Sequence, residues 1–126
     1  MKRRILTFIM LPIFLFSCHR KAAVPDVERG QIDSVVYSVS DADSLARVMD
    51  SFISAGNLYG EMVAARELGK KLRNASQFYE AIDVHKRGLV AAEKLRDTVQ
   101  IVQALNNIGT NYRRLAILDE ASSYHY

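Results

Sequence analysis

Slid forty residues along itself, the chain repeats. Residues 62–86 fall on 102–126, and six of the 25 positions are identical: Ala64/Ala104, Gly69/Gly109, Arg73/Arg113, Glu80/Glu120, Ala81/Ala121 and His85/His125. Composition alone gives roughly one or two. Met62/Val102, Leu68/Ile108 and Phe78/Leu118 keep their apolar character. A fixed period of this length means that one supersecondary unit recurs and stacks on its own copy.

The spacing of apolar residues says what the unit is. Asp43 precedes Leu45, Val48, Met49, Phe52 and Ile53, which reads as an N-cap and an apolar stripe at intervals of three and four. Gly56-Asn57 ends that helix. A second stripe runs through Leu58, Met62, Ala65, Leu68, Gly69 and Leu72, and ends near Asn74. A third runs through Phe78, Ala81, Ile82, His85, Leu89, Ala92 and Leu95, with Asp97 as the next cap. A fourth, over about 98–114, holds Ile101, Ala104, Leu105, Ile108, Gly109 and Tyr112, and Asp119-Glu120-Ala121 opens a fifth. No proline follows Pro25. The pattern predicts an all-α fold of antiparallel helix pairs. Gly69 inside a helix costs about 1 kcal/mol relative to alanine, and a close crossing against Ala81 offsets it.

Leu68-Gly69, Leu72, Glu80-Ala81 and again Ile108-Gly109, Tyr112, Glu120-Ala121 resemble the tetratricopeptide repeat. The resemblance covers residues 58–126, with 43–55 as the second helix of a preceding unit. It implies a right-handed solenoid packed through Leu68, Gly69, Leu72, Ala81, Ile108, Gly109, Tyr112 and Ala121. Three departures stand out: a spacing of 40, Ala65 or Leu105 at the large aromatic position, and no closing proline. The fifth helix reaches Tyr126 after about two turns, which is marginal alone. The sequence therefore predicts an incomplete last unit with an open apolar edge, fit for further repeats, a partner or a second copy of the chain.

The N-terminus carries an address. After Lys2, Arg3 and Arg4, the twelve residues Ile5 to Phe16 form an apolar run broken by Pro12. A bilayer span needs about 20 such residues, so the run fits a secretory signal instead. Leu15-Phe16-Ser17-Cys18 resembles the lipobox of bacterial lipoproteins, with Phe16 departing from the small or branched residue usual there. That resemblance implies a signal peptide over 1–17 and lipid on Cys18. The protein is then anchored in the cell envelope, facing the periplasm or the exterior. Each buried lipid methylene contributes about 0.8 kcal/mol, so several acyl chains hold a protein at a membrane. Residues 18–40, with Pro25, Gly30 and scattered charge, read as a tether. Within it, Ile32 to Val39 is either extended or an extra helix against the first repeat.

Charge excludes one function class. Lys and Arg number 17 against 14 Asp and Glu, but the three basic residues near Met1 make up the difference, and the remaining 109 residues are balanced. A nucleic-acid binder needs a basic excess in its folded part. A single cysteine excludes an internal disulfide framework and a cysteine zinc site. His85 and His125 recur at one repeat position, where a large inward residue packs between helices. No further ligands converge on them, so neither metal nor cofactor is expected. No phosphate loop, nucleophile elbow or HExxH motif occurs, so no catalytic residue is expected.

The repeat resemblance implies a partner-binding face on the first helix of each unit. Arg66, Lys70 and Arg73, spaced four and three apart, share such a face, and Asn106, Thr110 and Arg113 continue it. The stripe suits an acidic peptide or a terminal carboxylate, or else is a solvated face beside Glu61 and Glu67. The expected function is a non-enzymatic, membrane-anchored protein-interaction scaffold. The alternative is the sensor region of a signalling protein, since signal-led chains with such repeats resemble the sensor halves of Bacteroidetes-type regulators. There the repeats precede a histidine kinase or helix-turn-helix output domain, and no output domain lies within these 126 residues.

Overall fold

A computed structural model describes residues 24–123, with side-chain surroundings given through Asp119. The signal segment, Cys18 and His125 lie outside the described residues, as does the side chain of Ala121. The described elements are all helices: α1 (Asp26–Ser38), α2 (Ala42–Ser54), α3 (Leu58–Asn74), α4 (Phe78–Leu95) and α5 (Thr98–Ser123). From α2 onward each helix packs on its neighbour in sequence, and α1 packs on α3.

Three turns share one geometry. Gly56, Ser76 and Arg96 adopt left-handed backbone, with φ of 67°, 61° and 57°. After each, the next amide reaches back five residues: Asn57 N–H to the Phe52 carbonyl at 2.9 Å, Gln77 to Leu72 at 2.9 Å, Asp97 to Ala92 at 3.0 Å. This six-residue closure satisfies carbonyls that a helix end otherwise leaves open. Two of the turns also cap the next helix. The Asn57 side chain accepts from Gly60 N–H at 2.9 Å, and the Asp97 carboxylate from Gln100 N–H at 3.1 Å. The cap of α2 is Asp41, two residues before the expected Asp43, and it accepts from Ser44 N–H at 2.7 Å. That hydrogen bond holds the Asp41 carboxyl below its usual range.

The turns recur every twenty residues, so the next falls due at Ala116. None forms there: α5 runs unbroken from Thr98 to Ser123, and the separate fifth helix expected from Asp119 is the continuation of the fourth. The reason is local. Asn74-Ala75-Ser76-Gln77 becomes Arg114-Leu115-Ala116-Ile117 one repeat later. These residues are mostly good helix formers, and none of them favours left-handed backbone or a cap.

Part of the region 18–40, expected as a tether, is helical, and the choice left open for Ile32 to Val39 falls to the extra helix. Residues 26–38 form α1, and its Ile32 and Val36 enter the core. The core itself centres on α3, whose Met62, Val63, Ala64, Ala65 and Leu68 meet Leu45 and Met49 of α2 and Ala91 and Ala92 of α4. Leu72 packs against its edge. No described helix is long and apolar enough to cross a membrane.

Left-handed backbone costs a residue with a Cβ about 1–2 kcal/mol, part of which glycine returns as extra freedom of the unfolded chain. Arg96→Gly is therefore expected to stabilise the fold by about 0.5–1 kcal/mol in urea unfolding, and Gly56→Ala to destabilise it.

Candidate functional site

Two surfaces compete for the role of binding site. The first is the basic stripe. Arg66 donates from Nε to Glu67 at 3.0 Å, from Nη1 to Gln100 Oε1 at 2.9 Å and from Nη2 to the Tyr37 hydroxyl at 2.5 Å. Lys70 Nζ donates to the same Glu67 oxygen at 2.9 Å. Arg73 Nη1 donates to Asn107 Oδ1 at 3.2 Å. Burial alone would raise the Glu67 carboxyl, but the hydrogen bonds from Lys70 and Arg66 outweigh it and hold the group ionised below its usual range. The stripe is a staple. It joins α1, α3 and α5, which run in the same direction, since Arg66 and Arg73 of α3 meet Gln100 and Asn107 of α5 in order.

Arg66 is engaged on every side, and its side chain is only 17% exposed. Lys70, at 42%, keeps more access to solvent. In α5, the Thr110 hydroxyl donates to the Asn106 carbonyl at 2.8 Å and Arg113 donates to Thr110 at 3.3 Å. The structure thus brings Arg66, Lys70 and Arg73 together but commits them to internal partners. Sequence reasoning missed Tyr37, Gln100 and Asn107. The only signal for the last two is the separation of 34 that Arg66–Gln100 and Arg73–Asn107 share.

The second surface is apolar and comes from the repeat. Gly69 is buried beneath the imidazole of His85: a Cβ built on it would lie within 2.7 Å of three ring atoms. The expected partner, Ala81, is fully buried nearby, but the group that requires the glycine is the ring. Gly88 then brings α4 onto α3, with the Ala65 Cβ 3.1 Å from where a Gly88 Cβ would stand. Gly60 repeats the first arrangement under the Phe52 ring of α2.

The counterpart of Gly69 in the next unit is Gly109, and a Cβ there would meet nothing within 4 Å. The α3 residues that flank Gly69 are covered: Met62 is 3% exposed and Ala65 0%. Their α5 counterparts, Val102 and Leu105, are 50% and 52% exposed, and Tyr112, the counterpart of Leu72, is 50% exposed. Val102, Leu105, Gly109 and Tyr112 follow one another at intervals of three and four, so they form one strip along α5. Ala104 and Asn111 are buried and Ile101 and Ile108 half-buried on the adjoining side of the same helix. The α5 strip therefore matches the surface that α3 offers to α4, and it is uncovered among the described residues.

His85 is itself almost fully buried, and its Nε2 has no protein partner. It lines a small void of about 10 Å³ shared with Arg66, Gln100 and Gln103. Burial, then the charges of Arg73 and Lys70, push its imidazole down to about 4, with Glu67 pulling the other way.

No protein-family model matches the chain, and neither a curated protein nor a solved structure matches it.

Two predictions follow from these contacts. A folded pKa near 4 against about 6.5 unfolded leaves His85 neutral on both sides of the transition at pH 7, so no stability is lost there. Below 6.5 the unfolded chain takes the proton first. Stability then falls until about pH 4, by an amount on the order of 3 kcal/mol. His85→Phe keeps a flat ring over Gly69 and removes the titration. The difference between wild type and variant in urea unfolding should open between pH 6.5 and 4. The two glycines should respond in opposite directions. Gly69→Ala forces the ring away and costs about 1–3 kcal/mol. Gly109→Ala meets open space and gains about 1 kcal/mol of helix propensity.

Proposed function

We propose that the chain is a non-enzymatic, membrane-anchored protein-interaction module of stacked tetratricopeptide-like helix pairs. One observation carries the reading: the α5 strip around Gly109 has the form of the α3 surface that α4 covers, yet it is open among the described residues. The chain itself illustrates what fits such a surface. The occupant is an amphipathic helix with alanine or glycine at intervals of seven and four, and a flat ring where it crosses Gly109. On α4 those features are Ala81, Gly88 and Ala92, with His85 as the ring. The partner is therefore a helix laid into the strip, in place of the acidic peptide that the basic stripe suggested. Glu67 and the amide side chains already occupy the groups that would hold an acid.

The right-handed solenoid, the lipid on Cys18 and the envelope location belong to the same reading. The twenty-residue turn spacing supports the first and the Ser17-Cys18 junction the second.

A synthetic peptide of residues 77–96, labelled with a fluorophore, is the probe. It should bind the full chain, and Leu105→Glu with Tyr112→Glu should weaken binding at least about tenfold, or about 1.4 kcal/mol. Both residues are half-exposed, so thermal stability should change little. Binding that the double variant leaves unchanged, or none with wild type, would remove α5 as the interaction surface.

A further inference from the structure

Few residues lie between Cys18 and Val24, where the described residues begin. Arg29 donates from Nε to the Val24 carbonyl at 3.1 Å and from its backbone N–H to the Pro25 carbonyl at 3.0 Å. Its guanidinium lies 5.1 Å from the centre of the Tyr59 ring. The Tyr59 hydroxyl donates to Asp33 at 3.1 Å, and burial followed by that contact pushes the phenol up. Val24 is therefore held by α1 and α3. Six residue steps separate Cys18 from Val24. Fully extended, they reach about 20 Å.

Val24 also marks one particular end of the bundle. With Glu28, the α2–α3 turn at Ala55, Gly56 and Asn57, and Leu95 at the end of α4, it lines an open groove of about 410 Å³. The first turns of α1 and α3 lie at this end, and Val27 is exposed beside it. The opposite end carries the α1–α2 and α3–α4 turns, where Lys71 donates to the Ser40 carbonyl. Seventeen residues of α3 separate the two ends, about 25 Å at the helical rise.

We propose that the Val24 end of the bundle is held against the bilayer, within about 20 Å of its surface, with α3 directed outward. The inference rests on the reading of Cys18 as acylated. Covalent length sets this arrangement, because Asp26 and Glu28 at the same end offer anionic headgroups no attraction. The partner of this end is a lipid surface. The α5 strip, running along the side of the bundle, is left clear of it.

The test uses the mature protein isolated from cell envelopes. Its one native cysteine is then lipid-linked, so a cysteine introduced at residue 55 or 76 takes a fluorophore alone. Each variant, Ala55→Cys and Ser76→Cys, is placed in phosphatidylethanolamine–phosphatidylglycerol vesicles that carry a headgroup-linked energy acceptor. Transfer from residue 55 should exceed that from residue 76 by at least about twofold, given reaches of about 20 and 45 Å. Inserting about 20 Gly/Ser residues between Lys21 and Ala22 should erase the difference. Equal transfer with the native spacer, or stronger transfer from residue 76, overturns the orientation. Intact mass separates the two claims. A mature chain without diacylglyceryl on Cys18 overturns the anchoring reading and the orientation together. An acylated chain with equal transfer overturns the orientation alone.

Discussion

The fold depends on a flat imidazole lying on bare backbone. Gly69 gives up the helix propensity of an alanine, about 1 kcal/mol, so that the His85 ring can rest where a Cβ would be. The ring fixes the spacing of α3 and α4 near one end of their crossing, and Gly88 against Ala65 fixes it further along. Phe52 over Gly60 sets α2 on α3 by the same device. The side chains that meet Gly69 and Gly60 are rings because a flat group covers bare backbone without leaving a void. The arrangement has a chemical consequence. An imidazole held there, with burial and the charges of Arg73 and Lys70 against its proton, stays neutral down to about pH 4.

Much of this was legible in the sequence, and each gap has a physical cause. The second and third stripes lie where their spacing put them, because α3 and α4 are covered on two sides and the apolar pattern is strong. The repeat pointed to Gly69 and His85 separately, by identity with Gly109 and His125. It did not pair them, because a sequence offset does not say which side chain crosses which backbone. Ser76 and Arg96 hid two of the three left-handed turns, since neither residue type announces positive φ as Gly56 does. Helix α1 was obscured by Val35, Val36 and Tyr37, which favour strands. Burial of only Ile32 and Val36 on α3 overrides that preference. The break expected near residue 116 came from weighing Glu120-Ala121 above the junction, although the residues of the junction decide whether a helix turns.

The candidate surface was legible only in part. Arg66, Lys70 and Arg73 share a face as their spacing requires, but spacing carries no information on what neutralises them. Glu67 lies one residue from Arg66 and three from Lys70, and it gathers both. Tyr37, Gln100 and Asn107 come from helices before and after, so the stripe could be judged only once α1, α3 and α5 stood side by side. The polar layer thus became part of the scaffold, and the open surface moved to α5. There the burial pattern is uneven. Ala104 and Asn111 are enclosed while Leu105 and Tyr112 are half in water, and the Asn111 Oδ1 finds no protein partner. Helix α5 is the described helix whose apolar surface is least covered.

The two proposed surfaces constrain each other. With Cys18 acylated as proposed, a spacer of six residues would hold one end of α1 and α3 near the bilayer, with the helix axes pointing away from it. The α5 strip then runs outward along the side, from Val102 nearest the membrane to Tyr112 about 15 Å further out at the helical rise. A helix laid into that strip antiparallel to α5, as α4 lies on α3, would have its C-terminal end toward the lipid. Its N-terminal end would point away, into the compartment where a partner chain is free to approach. A long tether would have left the strip in every orientation and selected none. On that proposal the early start of α1 bears on binding as well as on folding, because it would turn a covalent anchor into a direction.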